Sequence, residues 1–281
     1  MAKLVGGIAT SHIPAIGLAI TQGLEQDAYW KPFFDGYPPV RAWLDHVKPD
    51  VAIVIYNDHG LNFFLDKMPT FAIGAAAQYQ NADEGWGLKQ LDPFPGDPAF
   101  SWHLIEQLVA ADFDLTTCQE MLVDHGFTVP MSLLWQDVVP RPVRVVPLAI
   151  NTVQHPLPSP RRCYHLGQAL GRAIAAYPED CRVVVIGTGG LSHQLDGERA
   201  GLINREFDLR CLKDIVHHPE QLLDLSIHDL VEQAGSQGTE FILWLVMRGA
   251  LSGQPVHEIT RNYHIPISNT GAGLLLLESS S

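Results

Sequence analysis

Short apolar runs separated by polar, glycine-rich breaks recur along the chain, and each run has the length of one strand or one helix. Val51–Tyr56 (VAIVIY) is the clearest: a continuous, mostly β-branched run, as a strand buried on both faces requires. Leu4–Ala9, Thr70–Gly74, Arg144–Ile150, Arg182–Ile186 and Leu274–Leu277 read as further strands. Helical spacing marks Pro98–Ala111 through Phe100, Leu104, Ile105 and Leu108, and Arg162–Tyr177 through Leu166, Leu170 and Ile174. Val40–Val47, Leu202–Val216, Gln221–Gln233 and Thr239–Leu251 complete the helices. Tyr29–Tyr37 reads as an aromatic loop. Gln78–Asp97, rich in Asp, Gly and Pro, reads as a long loop of the kind that usually serves function. Strands alternating with helices predict an α/β fold: one domain over residues 1–281, a three-layer αβα sandwich around a mostly parallel mixed sheet.

Composition narrows the partners. A net charge of −13 argues against nucleic acid and anionic membrane surfaces. No stretch approaches the ~20 apolar residues of a membrane span, and the N-terminus lacks signal-peptide architecture, so a soluble cytoplasmic protein is expected. The four cysteines form no C-x-x-C pair and read as reduced thiols. Only 17% of residues are charged, below the usual quarter, which points to a surface partly covered by another chain.

Four histidines share one placement. His12, His59, His125 and His193 each follow a short apolar run, and each is preceded by a small or acidic polar residue: Ser11, Asp58, Asp124 and Ser192. In open α/β sheets the carboxyl ends of the strands form the ligand crevice. Four imidazoles brought to one rim suggest a metal or proton-transfer site. Asp58 and Asp124 read either as acceptors that fix imidazole tautomers or as turn caps.

Glu240 stands in TEFILWLVMRGAL, a helix apolar almost all round and therefore buried. A carboxylate there needs a cation, a base such as Arg248, or a place in an exposed first turn. Two imidazoles and one carboxylate can form the facial triad of a non-haem Fe(II) oxygenase, leaving room for a chelating diol and O2. Zinc hydrolysis is the rival use of such a set, but no H-E-x-x-H is present. G-x-S-x-G is also absent, and Gly187-Thr188-Gly189-Gly190 lacks the lysine of a P-loop.

Several segments carry a resemblance. They are Ser11-His12-Ile13-Pro14, Tyr56-Asn57-Asp58-His59, Ala82-Asp83-Glu84-Gly85-Trp86-Gly87, Val123-Asp124-His125-Gly126, Gly187 through Gln194, and Met247-Arg248-Gly249-Ala250-Leu251. Together they resemble the class III extradiol ring-cleavage dioxygenases over nearly the whole chain, and the protocatechuate-cleaving branch most closely. The resemblance implies Fe(II) held by His12, His59 and Glu240. It makes His193 the acid/base and His125 a contact to the substrate oxygens. It also brings Tyr263 through Thr270 to the substrate carboxylate, through Ser268 and its neighbour Asn269. The implied reaction opens protocatechuate with O2 to 4-carboxy-2-hydroxymuconate-6-semialdehyde, with gallate or 3-O-methylgallate as alternative substrates. A small helical α subunit, as a separate chain covering the active-site mouth, is the implied partner. Such a lid would help an acidic protein hold an anionic acid against its own field.

Overall fold

The computed structural model describes residues 1–136 and 138–280. The strands are β1 (Lys3–Thr10), β2 (Val51–Tyr56), β3 (Phe71–Gly74), β4 (Gln78–Asn81), β5 (Phe94–Pro95), β6 (Thr116–Cys118), β7 (Leu122–Val123), β8 (Arg144–Ile150), β9 (Arg182–Thr188), β10 (Val256–Ile267) and β11 (Thr270–Ser279). The helices are α1 (Pro14–Thr21), α2 (Lys31–Phe34), α3 (Pro38–Val47), α4 (Pro98–Ala110), α5 (His125–Trp135), α6 (Pro160–Ala176), α7 (Arg205–His217), α8 (Pro219–Leu222), α9 (Ile227–Ala234) and α10 (Phe241–Ala250), the last entered through a 3-10 turn, Gln237–Glu240.

One eight-stranded sheet runs in the order β10-β11-β1-β9-β2-β8-β3-β6. Its centre, β1-β9-β2-β8, is parallel, so four carboxyl ends share one edge. β11 lies antiparallel to β1, and β10 returns antiparallel to β11. β3 lies antiparallel to β8 and parallel to β6.

The pleat divides the strands between two cores. Val51, Ile53 and Ile55 of β2 face a cluster with Leu104 of α4, Leu170 of α6, Leu212 of α7 and α10. Ala52, Val54 and Tyr56 face the opposite cluster, with Ile16 of α1, Trp43 of α3 and Phe127 of α5. Both faces are covered, so the fold is the three-layer αβα arrangement, and VAIVIY reads as apolar throughout for that reason.

The structure amends several expectations. The aromatic segment around Tyr29–Tyr37 holds the short helix α2, and the segment expected as a long loop carries β4 and β5. The helix expected over Gln221–Gln233 is broken into α8 and α9 by the Ser226–Asp229 capping box. α5 escaped the pattern because its residues from His125 to Leu134 are all buried, which erases the polar face that reveals a helix. β10 was hidden by its polar, charged make-up: half-buried and exposed positions dominate it at the sheet's edge.

Candidate functional site

Three of the four histidines leave neighbouring carboxyl ends. His12 follows β1, His59 follows β2, and His193 follows β9 after the Gly189-Gly190 turn. His125 opens α5 on the layer that packs against this edge. Glu240 arrives from the opposite layer, as the last residue of the 3-10 turn before α10. All five line a cavity of about 1000 Å³.

The side chains converge. Glu240 Oε2 lies 3.5 Å from His12 Nε2, and Oε1 lies 3.9 Å from His59 Nε2. The rings of His12 and His59 stand 5.2 Å apart, and those of His59 and His125 stand 4.0 Å apart. Ring nitrogens of His12, His59 and His125 lie within 4.8 Å of one another and could hold a metal ion. Two ligand bonds of ~2.1 Å span at most ~4.2 Å, so each pair, Glu240 Oε2 with His12 and Glu240 Oε1 with His59, is close enough to share an ion.

The other ring nitrogen of each imidazole is committed elsewhere. His12 Nδ1 bonds Thr188 Oγ1 at 2.9 Å. His59 Nδ1 donates to Asp124 Oδ2 at 3.0 Å, and the His59 backbone N–H donates to the same oxygen at 2.7 Å. Asp124 Oδ1 meanwhile caps α5 by accepting from the Gly126 N–H at 2.9 Å. It thus fills both roles left open for it, whereas Asp58 is a turn cap that accepts the Gly60 through Phe63 amides. His125 Nδ1 donates to Glu84 Oε1 at 2.7 Å, and its backbone N–H to Glu84 Oε2 at 2.6 Å. His193 Nδ1 donates to the Asn269 carbonyl at 3.2 Å and contacts Thr270 Oγ1. Such partners fix the tautomer and aim Nε2.

Glu240 is 8% exposed, which removes the exposed-first-turn reading. Arg248 donates to the Ile215 carbonyl and not to Glu240. Burial would raise the Glu240 carboxyl, but His12, His59 and His193 reverse this and hold it far below the carboxylate range. The Gly190 N–H at 3.0 Å and Asn57 Nδ2 at 3.3 Å donate to it as well. Gly189, at φ 80, must lack a side chain, because a Cβ would stand 2.7 Å from Glu240 Oε2. Burial would lower the His59 imidazole, but Asp124, Glu240 and Glu84 raise it to about 9. A metal ion there would compete with a proton. Burial lowers His125 and His193, so both favour the neutral ring.

A model of the family described as the catalytic LigB subunit of aromatic ring-opening dioxygenase matches residues 6–273. The chain belongs to this family. It is 43% identical to a gallate dioxygenase of Pseudomonas putida over 198 residues, 70% of this chain and 58% of that protein. The match therefore spans less than two thirds of that relative. Along 97% of its length it is 27% identical to a 2,3-dihydroxyphenylpropionate/2,3-dihydroxicinnamic acid 1,2-dioxygenase of Photorhabdus laumondii, covering 96% of that enzyme. The fold matches the crystal structure of an uncharacterized Escherichia coli K12 protein with a TM-score of 0.59 at 15% identity, covering 98% of this chain and 100% of that one.

Ser268 lines the cavity. Asn269 does not line it with its side chain; it acts through the carbonyl that holds His193. Glu84, Thr188 and Thr270 all stand inside segments that carry the resemblance, but the sequence assigns none of them to a histidine. No lysine or arginine is among the described residues that line the cavity. Among the described residues no helix is long and apolar enough to cross a membrane, and all four cysteines are free and buried.

Proposed function

We propose that the chain opens the aromatic ring of a catechol-bearing benzoate with O2, extradiol to the hydroxyl pair, at an Fe(II) ion held by His12, His59 and Glu240. The observation that carries this reading is the Glu240 carboxylate, with one oxygen 3.5 Å from a His12 nitrogen and the other 3.9 Å from a His59 nitrogen, on the wall of a cavity of about 1000 Å³. A donor set of two imidazoles and one carboxylate suits Fe(II) and leaves three positions for a chelated diol and O2. When bound, the iron supplies the electronic path between the diol and O2.

The chain's residues handle protons and position. His193 keeps its Nδ1 proton on the Asn269 carbonyl, so Nε2 offers a lone pair to a ring hydroxyl. It takes that proton and returns it later in the reaction. Neutral His125 donates Nδ1–H to Glu84 and accepts from a substrate hydroxyl at Nε2; once protonated, it donates to charge on the substrate oxygens. The Ser268 hydroxyl meets the carboxylate.

Two substrates have separate support. Protocatechuate is favoured by the segment from Tyr263 to Thr270, and gallate by the 43% identity to a gallate dioxygenase. Trp86 and Leu195 line the cavity yet are 57% and 56% exposed, which suits a mouth covered by a separate small helical α subunit in a cytoplasmic hetero-oligomer. The test is O2 uptake by anaerobically purified, Fe(II)-loaded protein on both acids, with and without a co-expressed small subunit. Uptake with a muconic semialdehyde product is expected. Full zinc occupancy with no uptake on any catechol would overturn the reading in favour of a hydrolase.

A further inference from the structure

Asp208 of α7 is 1% exposed and does not line the cavity. Its Oδ1 accepts from the Ser192 N–H at 3.0 Å and from the Ser192 hydroxyl at 2.6 Å. Its Oδ2 accepts from the Tyr263 hydroxyl at 2.6 Å. Ser192 is the residue before His193. Tyr263 lies on β10, the strand that leads to Ser268. One buried carboxylate thus joins the base-bearing turn to the hairpin that carries the substrate contact.

The backbone joins the same two segments. Leu191 N–H donates to the Gly271 carbonyl at 2.9 Å, and Gly271 N–H donates to the Ser192 carbonyl at 2.9 Å. Gly271 must be glycine for reasons of space, since a Cβ would lie 2.3 Å from Asp208 Oδ2. The hairpin turn holds Ser268 at φ 47 and Asn269 at φ 58, a left-handed pair of the type I′ kind that non-glycine residues adopt only where their surroundings impose it. Burial raises the Asp208 carboxyl to about 6, against the hydrogen bonds of Ser192 and Tyr263. A buried carboxyl is costly to keep, and here three donors converge on it.

We propose that Asp208 is a positioning residue that sets the distance between His193 and Ser268. It would match the base to a ring hydroxyl of an acid whose carboxylate is seated on Ser268. The proposal rests on the ring-opening reading above. It makes the Asp208–Ser192–Tyr263 cluster a ruler for acids over plain catechols.

The test compares wild type, Asp208→Asn and Tyr263→Phe, all Fe(II)-loaded, on catechol and on the better of protocatechuate and gallate. Metal content is measured in parallel. For Asp208→Asn, kcat/KM on the acid should fall about 10- to 100-fold, the scale of a sub-ångström to ångström misplacement, with KM raised. Catechol, which has no carboxylate to seat, should lose far less. Tyr263→Phe, which removes one hydroxyl and keeps the ring, should move in the same direction by less, and decides the matter if Asp208→Asn fails to fold. Equal losses on both substrates, tracking the folded or metal-loaded fraction, would show a merely structural residue and overturn the proposal. An unchanged acid-to-catechol ratio would do the same. A wild type inactive on every diol would instead sink the ring-opening reading, and the ruler with it.

Discussion

Each of the four imidazoles His12, His59, His125 and His193 is made useful by what holds its far nitrogen. Asp124 takes two hydrogen bonds from His59 and one from α5, so one carboxylate sets both ring orientation and helix entry. Asp124→Asn should therefore weaken metal binding about 10- to 100-fold, read by competition with a chelator, while the helical content stays unchanged. His193→Phe should leave the metal bound and slow turnover about 10²-fold or more, the share of a lost general acid/base; a variant with full activity would remove His193 from the mechanism. The four histidines were legible because each ends an apolar run. Their partners were not. Glu84 reaches His125 across 41 positions and Asp124 reaches His59 across 65, distances over which no periodicity operates. Asp58 and Asp124 look alike in sequence, and only the packing of α5 against the β2 end separates a turn cap from a histidine's partner.

At the scale of elements, α10 sets where Glu240 stands. The helix packs against α6 at backbone contact: a Cβ on Gly167 would lie 2.1 Å from the Val246 carbonyl, and one on Gly249 would lie 2.2 Å from the Tyr164 carbonyl. Gly167→Ala should destabilise the fold by about 1–3 kcal/mol through overpacking, measured by urea unfolding, and should lower metal affinity as α10 is pushed away. The sequence marked both helices through their apolar residues but gave no sign of how closely they cross. β10 and α5 mark the opposite limit. One is too polar and the other too uniformly buried to show the period from which an element is read.

At the scale of the whole molecule, the charge of −13 works against an anionic substrate, and no lysine or arginine among the described lining residues offsets it locally. Raising ionic strength from about 0.02 to about 0.2 M shortens the screening length to less than 10 Å. The kcat/KM for protocatechuate or gallate should then rise several-fold, while that for uncharged catechol should stay level. The exposed Trp86 and Leu195 at the cavity rim are where a covering chain would replace water, and its presence should flatten this salt dependence.

The sequence by itself determined the layer order, the strands of the parallel centre and the arrival of His12, His59 and His193 at its carboxyl edge; His125, expected there as well, instead opens α5. These follow from local hydrophobic runs and from a pleat that alternates between two cores. Only the tertiary structure decided which far nitrogen each imidazole commits, that Glu240 turns its carboxylate towards His12 and His59 and away from Arg248, and that Asp208 ties the His193 turn to the Ser268 hairpin. Hydrogen bonds between polar side chains in loops depend on distance in space, and the chain records that distance only once the sheet has brought its ends together.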